Sequence, residues 1–165
     1  MKELLSAKEV SATIDNLIKQ IDQKHPASDY IIVGIQQGGV AVADEMVARI
    51  NNIQYGQLDI TFYRDDIRKE ILTPDKMNIP FSIEDKIVVL VDDVLFTGRT
   101  IKAALDVLLD YGRPAKVELC VLIDRKEHRQ FPIQADYVGK EISTKKEEKV
   151  KLVKEGKNST VVLLP

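Results

Sequence analysis

The chain reads Val88-Val89-Leu90-Val91-Asp92-Asp93-Val94-Leu95-Phe96-Thr97-Gly98-Arg99-Thr100 at the point that decides its fold. The apolar run predicts a buried strand, with the two acids at its carboxyl end. The turn from Thr97 to Thr100 precedes apolar residues at helical spacing, so we expect it to open a helix. Paired carboxylates suit diol hydroxyls or a hydrated Mg²⁺, and amides at a helix N-terminus suit a phosphate monoester. A ribose 5-phosphate carries both groups.

Other classes of protein also place acids after an apolar strand. ATPases of the P-loop class hold Mg²⁺ in this way, but they need a Gly-x-x-x-x-Gly-Lys-Ser/Thr run upstream, which this chain lacks. Receiver domains have an apolar-Asp-Asp pattern near the N-terminus, without a Thr-Gly-x-Thr turn just after it. The pattern therefore favours a sugar-phosphate site over these two alternatives.

Length and composition limit the remaining possibilities. The chain has 165 residues, of which 44% are hydrophobic, so it can form one domain with a substantial core. A net charge of -2 argues against a strongly basic nucleic-acid surface overall. The single cysteine, Cys120, lies in an apolar run and is expected in the core, which excludes an internal disulfide. Without an 18-residue apolar run or a signal-peptide core, we expect a cytoplasmic protein with no membrane span.

Periodicity predicts the elements. A capping-box pattern at Ser6 and Glu9 precedes a predicted helix from about Ala7 to Lys24. Two further helices are predicted over residues 40–50 and 100–111. Apolar runs and alternation predict strands over residues 30–35, 58–63, 86–91, 116–123, 136–139 and 160–163. The charge run over residues 145–151 is expected to be a solvated loop.

The order of these elements predicts an α/β fold with a mostly parallel sheet flanked by helices on both faces. In such sheets, ligands bind beyond the carboxyl ends of the strands. The residues expected on that edge are Gln36–Gly39, Arg64, Asp92–Thr100 and Asp124. The polar stretch over about residues 64–83 contains Pro74 and Pro80 and is too long for an ordinary connection. We interpret it as a mobile loop that closes the site.

Several segments resemble a known family. Asp92 to Thr100 resembles the motif by which type I phosphoribosyltransferases bind 5-phosphoribosyl 1-pyrophosphate (PRPP). The PyrR branch of that family, bacterial pyrimidine-operon attenuators that are also uracil phosphoribosyltransferases, is the closer match. Segments 63–66, 91–100, 111–114 and 132–140 carry this resemblance, which extends from about Val10 to Val153. It implies the type I phosphoribosyltransferase fold, as a single domain over residues 1–165 with a small hood from about residues 1–28 and 125–165.

The resemblance implies that uracil and PRPP give UMP and pyrophosphate, with Mg²⁺ bound to PRPP. By matching position, Asp92 and Asp93 face the ribose hydroxyls, directly or through Mg²⁺. Arg64, at the root of the mobile loop, is the expected cationic partner of pyrophosphate. The residues matched to the 5-phosphate are Val94, Leu95, Thr97, Gly98, Arg99 and Thr100. The residues matched to the pyrophosphate loop are Gln36, Gln37, Gly38 and Gly39.

Position 96 bears on the choice of base. Relatives that act on 6-oxopurines usually carry an acid there, which meets a purine ring nitrogen, whereas this chain has Phe96. A buried unpaired nitrogen costs about 1–3 kcal/mol, so a pyrimidine is favoured over hypoxanthine or guanine. Further base contacts are expected from the Tyr137 ring by stacking and from Val138 through its backbone, both in the hood.

RNA regulation, the second activity of the PyrR branch, has less support. Its RNA-binding members carry a Thr-Arg pair and a His where this chain has Asp15, Asn16 and Lys19. The acid repels phosphates, and the lost arginine removes salt-dependent affinity. The branch also commonly has a Lys or Arg where Gln36 or Gln37 stands, which predicts weaker PRPP affinity. An RNA-binding attenuator with weak catalysis and a purine phosphoribosyltransferase stay open as alternatives, and the resemblance implies a homo-oligomer.

Overall fold

The structure, a computed structural model, describes residues 1–60 and 77–165. Its larger sheet has six strands in the order β4-β3-β2-β5-β6-β7. These strands are β2 (Tyr30–Ile35), β3 (Gln54–Leu58), β4 (Met77–Asn78), β5 (Ile87–Leu95), β6 (Lys116–Asp124) and β7 (Tyr137–Glu141). All neighbours are parallel except β4, which pairs antiparallel with β3 at the edge. The predicted mostly parallel sheet is confirmed.

A smaller antiparallel sheet joins the two ends of the chain. It has the order β1-β9-β8, with β1 at Lys2–Leu5, β8 at Lys149–Glu155 and β9 at Asn158–Leu164. The predicted solvated loop over residues 145–151 is therefore wrong for its last three residues, because β9 gives them a ladder partner. The bounds of the predicted hood stay a prediction, although this sheet is formed by both chain ends.

Three helices cover the larger sheet: α1 (Ala7–Asp22), α2 (Gly38–Val47) and α3 (Arg99–Leu109). The Ser6 hydroxyl accepts from the Glu9 amide and the Glu9 carboxylate accepts from the Ser6 amide, so the predicted capping box is present. Buried side chains of α1 and α2 pack in one core cluster, while those of α3 pack in a second. These two clusters lie on opposite faces of the sheet, as the predicted three-layer arrangement requires.

Several predicted boundaries are wrong. Strand β5 continues through both acids to Leu95, because β6 is long enough to pair with it as far as Asp124. Of the predicted strand over residues 58–63, Leu58 lies in β3, which begins earlier because β2 provides its ladder, whereas residues 59 and 60 are not strand and residues 61–63 lie outside the described residues. The predicted turn over residues 36–39 ends early, since α2 already begins at Gly38. The helix predicted over residues 100–111 ends earlier, at Leu109, with Asp110 as its C-cap.

The expectations for the cysteine and for membrane-spanning segments concern residues that the structure describes. Cys120 is buried in the core without a disulfide partner, and burial raises the pKa of its thiol. No helix in the described ranges is long and apolar enough to cross a bilayer. Most of the predicted mobile loop, from residue 64 to 76, lies outside the described residues.

Candidate active site

The two acids lie near the carboxyl end of β5 and have different surroundings. Asp92 is 6% exposed, and burial, reinforced by the neighbouring Asp93, raises the pKa of its carboxyl. The backbone N–H of Asp93 donates to Asp92 Oδ1 at 2.9 Å, and that of Val94 donates to Asp93 Oδ1 at 2.8 Å. Because successive residues of a strand point to opposite faces, the two carboxylates approach a ligand differently.

Two glycines at the start of α2 lie directly against the acids. A Cβ placed on Gly38 would collide with Asp93 Oδ2, and one on Gly39 would collide with the Val91 carbonyl oxygen. The structure therefore brings the predicted pyrophosphate loop and the predicted diol-binding acids into contact. Gln36 and Gln37 precede these glycines, and a cis peptide bond joins them.

The predicted phosphate turn leads into α3. Gly98 has φ of 92°, a left-handed conformation that glycine adopts without strain, and it forms the N-cap of the helix. The Arg99 amide donates to Thr97 Oγ1 at 3.2 Å. First-turn amides of a helix have no acceptor within the helix, so this end attracts anions. We call Gly38, Gly39, Asp92, Asp93 and the turn 97–100 the cradle.

A cavity of about 90 Å³ lies on the side of the cradle formed by Asp92 and the phosphate turn. It is lined by Asp92, Val94, Leu95, Phe96, Thr97, Gly98, Thr100 and Ile101. Five of the six residues predicted for the 5-phosphate line this cavity. Arg99, the sixth, is exposed and reaches towards Gln130 and the Phe131 ring. The arrangement can hold a small anion beside two carboxylates.

Phe96 is flanked by the side chains of Arg125 and His128, two contacts that the sequence did not reveal. The Arg125 guanidinium lies 3.8 Å from the centre of its ring, and the His128 ring meets it edge-on at 5.2 Å. The Phe96 carbonyl accepts from Arg129 Nη1 at 2.7 Å. One face of the Phe96 ring is thus covered by Arg125, which leaves less of the ring to meet a base.

Arg125 is 4% exposed and also binds the segment that precedes β8. Its Nε donates to Thr144 Oγ1 at 2.8 Å, and its Nη2 donates to the Lys145 and Glu148 carbonyls at 3.0 and 2.9 Å. His128 Nε2 donates to the Thr144 carbonyl at 2.8 Å. From residue type alone, the basic cluster Arg125, Lys126, His128 and Arg129 is expected to be solvated surface, and for Arg125 this expectation is wrong. The apolar residues before it gave the only hint of burial.

Asp124, which we expected on the ligand edge, ends β6 there but already has a partner. Its carboxylate is 5% exposed and lies 2.8 Å from Arg129 Nη2. Its carbonyl accepts from the Ile142 amide at 3.0 Å, which secures the chain beyond β7 to the same edge. Asp124 therefore has a structural role, since it binds Arg129 and the chain beyond β7.

The predicted base contact of Tyr137 is wrong. Its side chain is 1% exposed, packs in the core beside α1 and donates its hydroxyl to Glu118 Oε1 at 2.6 Å. The sheet register explains this, because Tyr137 pairs with Cys120, four residues before the carboxyl end of β6. Val138 is half-buried, and its carbonyl accepts from Gln20 Nε2 at 3.1 Å. Its contact with a base stays a prediction.

Arg64, predicted to neutralise pyrophosphate, lies outside the described residues. The structure therefore describes the acids, the glycine loop and the phosphate turn, but not the cation assigned to the mobile loop.

The carboxylates of the cradle fit Mg²⁺ only as an ion that is also bound by the substrate. No group of three or more His, Cys, Asp or Glu side chains in the described ranges is arranged to hold a metal. Asp92 and Asp93 provide two hard carboxylates, and Mg²⁺ is commonly held by one or two carboxylates together with substrate phosphates and water. These residues fit an ion that arrives with a phosphorylated substrate.

Comparisons with known proteins agree with this geometry. Residues 1–157 match the family described as "Phosphoribosyl transferase domain". Over 157 residues the chain is 46% identical to the "Bifunctional protein PyrR" of Picosynechococcus, which covers 91% of this chain and 88% of the relative. It is 44% identical to the protein of the same name from Geobacter sulfurreducens, over 94% of this chain and 92% of that one. The chain belongs to the phosphoribosyltransferase family and, within it, to the PyrR group.

Solved structures give the fold independently. The hypoxanthine phosphoribosyltransferase of Trypanosoma cruzi superposes with a TM-score of 0.73, covering 99% of this chain and 96% of that one at 18% identity. A hypoxanthine phosphoribosyltransferase from Staphylococcus aureus gives a TM-score of 0.70 over 87% and 78%, at 24% identity. At such identities the match concerns the fold alone, which is the predicted type I phosphoribosyltransferase fold.

Proposed function

We propose that this protein is a uracil phosphoribosyltransferase of the PyrR type, which converts uracil and PRPP into UMP and pyrophosphate. One observation carries the proposal: the glycine loop, the paired acids and the N-terminus of α3 meet in one cradle. PRPP has a pyrophosphate, a diol and a 5-phosphate, and the cradle offers a group of suitable chemistry for each. Membership of the PyrR group supports uracil as the base.

The chain contributes mainly positioning and electrostatics in this proposal. A bond forms between ribose C1 and uracil N1 as the bond from C1 to pyrophosphate breaks. Pyrophosphate leaves with the bonding electrons, and the proton of uracil N1 passes to the departing pyrophosphate or to water. Asp92 and Asp93 orient the ribose through its hydroxyls. The amides of Gly38 and Gly39 approach the pyrophosphate closely because no Cβ intervenes. Arg64 neutralises the charge on the leaving group.

Mg²⁺ belongs to the proposal as an ion bound with PRPP. Asp92 and Asp93 are the residues that would hold it, directly or through water. The ion would supply charge neutralisation at the pyrophosphate. The protein acts in the cytoplasm on PRPP, uracil and UMP, as a homo-oligomer.

The choice of base can be measured directly. Incubation with PRPP, Mg²⁺ and one base at a time, followed by chromatography of the nucleotides, should yield UMP from uracil. Hypoxanthine and guanine should give little product, since Phe96 offers no hydrogen bond to a purine nitrogen. Absence of UMP at micromolar enzyme, or preferential formation of IMP or GMP, would contradict the proposal.

RNA regulation is a second candidate function, because the relatives are named bifunctional. On α1, Asp15 lies 2.9 Å from Arg49 Nη1, which also donates to the Ser11 carbonyl at 2.8 Å. The ion pair partly neutralises both charges, so this face offers little net attraction for phosphates. In a gel shift with a pyrimidine-operon leader RNA, with and without UMP, we expect no specific complex. A salt-resistant, UMP-dependent complex would favour the regulator.

A further inference from the structure

A cluster of side chains connects the cradle to the segment that precedes β8. We call Phe96, Arg125, His128 and Thr144 the Phe96 clasp. Phe96 belongs to the loop that lines the cavity, and Thr144 belongs to the stretch 142–148. Arg125 touches both, by stacking on the Phe96 ring at 3.8 Å and by donating to Thr144 Oγ1 at 2.8 Å.

The backbone of Arg125 is also fixed next to the cradle. Arg125 directly follows β6, and its backbone N–H donates to the Leu95 carbonyl at 2.9 Å, at the end of β5. The guanidinium is therefore held against the cradle by backbone as well as side chain. A cation that is only 4% exposed needs several hydrogen bonds to offset its lost hydration, and three acceptors in residues 144–148 provide them.

Only an arginine can make this set of contacts. Its planar guanidinium stacks on an aromatic face while its N–H groups donate in the same plane to several acceptors. A lysine has one point charge with no flat face, so it could keep one of these contacts but not all. The residue type of Arg125, its burial and its contacts with two separate segments all indicate that it links these segments.

The Phe96 clasp lies beside the cavity, where a planar base would need a flat surface to pack against. Among the described residues that line the cavity of the cradle, Phe96 is the only aromatic one. Its ring position depends on Arg125 on one face and His128 at an edge. A base joined to a ribose in the cradle would lie against this ring or against residues 142–148 beside it.

We propose that Arg125 is a positioning residue that holds Phe96 and the segment 142–148 in one fixed arrangement and thereby forms the base side of the site. It touches neither PRPP nor the reacting atoms. Its effect is on binding of the base, with PRPP left largely unaffected because the acids and the α3 N-terminus do not depend on it.

The test compares Arg125→Lys with Lys126→Gln. Lys126 is the next residue, and its ammonium makes only an exposed ion pair with Glu141 at 3.1 Å among its described charge contacts. For Arg125→Lys we expect the KM for uracil to rise about tenfold, while the KM for PRPP changes less than about threefold. Lys126→Gln should leave both within about twofold. A residue with a merely structural role would lower the active fraction and leave both KM values alone.

Hydrogen exchange of the ligand-free protein gives a readout that needs no activity. The amides of Ile142, Lys145 and Glu148 are hydrogen-bonded, so they should be protected. We expect Arg125→Lys to speed exchange both in overlapping peptides that report on residues 94–96 and in a peptide covering residues 142–148, with no change in Lys126→Gln. Exchange that rises in only one of these peptides, or in neither, would overturn the coupling.

A second variant covers the case in which Arg125→Lys fails to fold. Thr144→Val keeps the side-chain shape and removes only the acceptor of Arg125 Nε. It should change the uracil KM and the exchange of both peptides in the same direction, by a smaller factor. Unchanged values in Thr144→Val would overturn the proposal.

The kinetic part of this inference rests on the proposed function, and the two can fail separately. If wild-type protein forms no UMP, the proposed function fails while the exchange experiment still tests the clasp. If UMP forms and Arg125→Lys behaves like Lys126→Gln, the clasp fails while the proposed function stands.

Discussion

Asp92 and Asp93 are adjacent in sequence and unlike in environment. Burial raises the pKa of Asp92, so in the free protein its charged form is disfavoured. Asp93 is less buried and lies against Gly38. The sequence shows the pair and predicts its chemistry, but it does not distinguish the two acids, since burial depends on packing against α2 and β6.

The acids can be tested by the double substitution Asp92→Asn with Asp93→Asn. We expect UMP formation to fall on the order of a hundredfold or more, because amides do not provide the charge that the ribose and Mg²⁺ need. The thermal midpoint should shift little, since an asparagine side-chain oxygen at position 93 could still accept from the Val94 N–H, as the Asp93 carboxylate does now. The control is Asp106→Asn, which alters an exposed ion pair with Lys102. Unchanged turnover in the double variant would contradict the assigned role.

Gly38→Ala probes the contact between the glycine loop and the acids. The new Cβ would meet Asp93 Oδ2, so the carboxylate has to move. We predict that the KM for PRPP rises about tenfold or more while the fold persists, because the obstacle is a movable side chain.

A matched control for that variant is Gly156→Ala. Its φ of 62° makes alanine strained, but no atom lies within 4 Å of the added Cβ. It should lose about 1 kcal/mol of stability and keep its KM for PRPP. Equal PRPP kinetics in Gly38→Ala and wild type would show that the loop does not approach the acids as described.

Tyr137 and Arg125 show why side-chain roles are harder to predict than elements. Both predictions rest on residue type: an aromatic near the hood suggests stacking, and a basic run suggests solvent. The register of β7 against β6 moves Tyr137 into the core, and the loop at 144–148 buries Arg125. Such placements depend on contacts between residues far apart in the chain.

Among the elements, strand β6 makes buried polar contacts near both of its ends. At its amino end, the Glu118 side chain is fully buried beside His25 Nε2 at 2.9 Å, Lys116 Nζ at 3.2 Å and the Tyr137 hydroxyl. Burial by itself would raise the pKa of Glu118, but the hydrogen bonds from Tyr137, Lys116 and His25 outweigh it and the pKa lies below its ordinary value. These contacts tie the end of α1 to β6 and β7.

The lowered pKa of Glu118 predicts how the free energy of unfolding depends on pH. The contribution of Glu118 is present above its unfolded pKa, near 4.5, and is lost as pH falls through the lower folded value. In urea unfolding we expect Glu118→Gln to cost about 3 kcal/mol at pH 7, because it removes one partner of a buried cluster. The deficit should shrink as the pH drops below about 4.5.

The exposed pair of Glu141 with Lys126 provides the control for this experiment. Glu141→Gln removes a carboxylate that is 54% exposed, so its effect at pH 7 should stay below about 1 kcal/mol. A deficit of Glu118→Gln that does not depend on pH would show that packing, and not charge, explains the loss.

The central elements were predicted well because their signals are local. A continuous apolar run defines β2, and a capping box with helical spacing defines α1. Strands β1 and β8 were missed, since each is short or rich in lysine and is stabilised by pairing with β9 at the other end of the chain. Long-range pairing of this kind leaves little trace in local periodicity.

In the whole molecule, β5 and the N-termini of α2 and α3 place the cradle at the carboxyl edge of the larger sheet. Parallel strands end there together, so Gly38 and Gly39 meet the segment 92–100 although the two segments are far apart in sequence. The sequence predicted this edge from strand order alone. The position of the smaller sheet, and of the base side of the site next to it, depends on pairing between the two ends of the chain.

The most direct test of the account is a crystal structure of the protein soaked with PRPP and Mg²⁺. We expect the 5-phosphate on the amides of residues 97–100, the ribose hydroxyls or the ion on Asp92 and Asp93, and the pyrophosphate beside Gly38 and Gly39. An empty cradle with PRPP bound elsewhere would contradict the account.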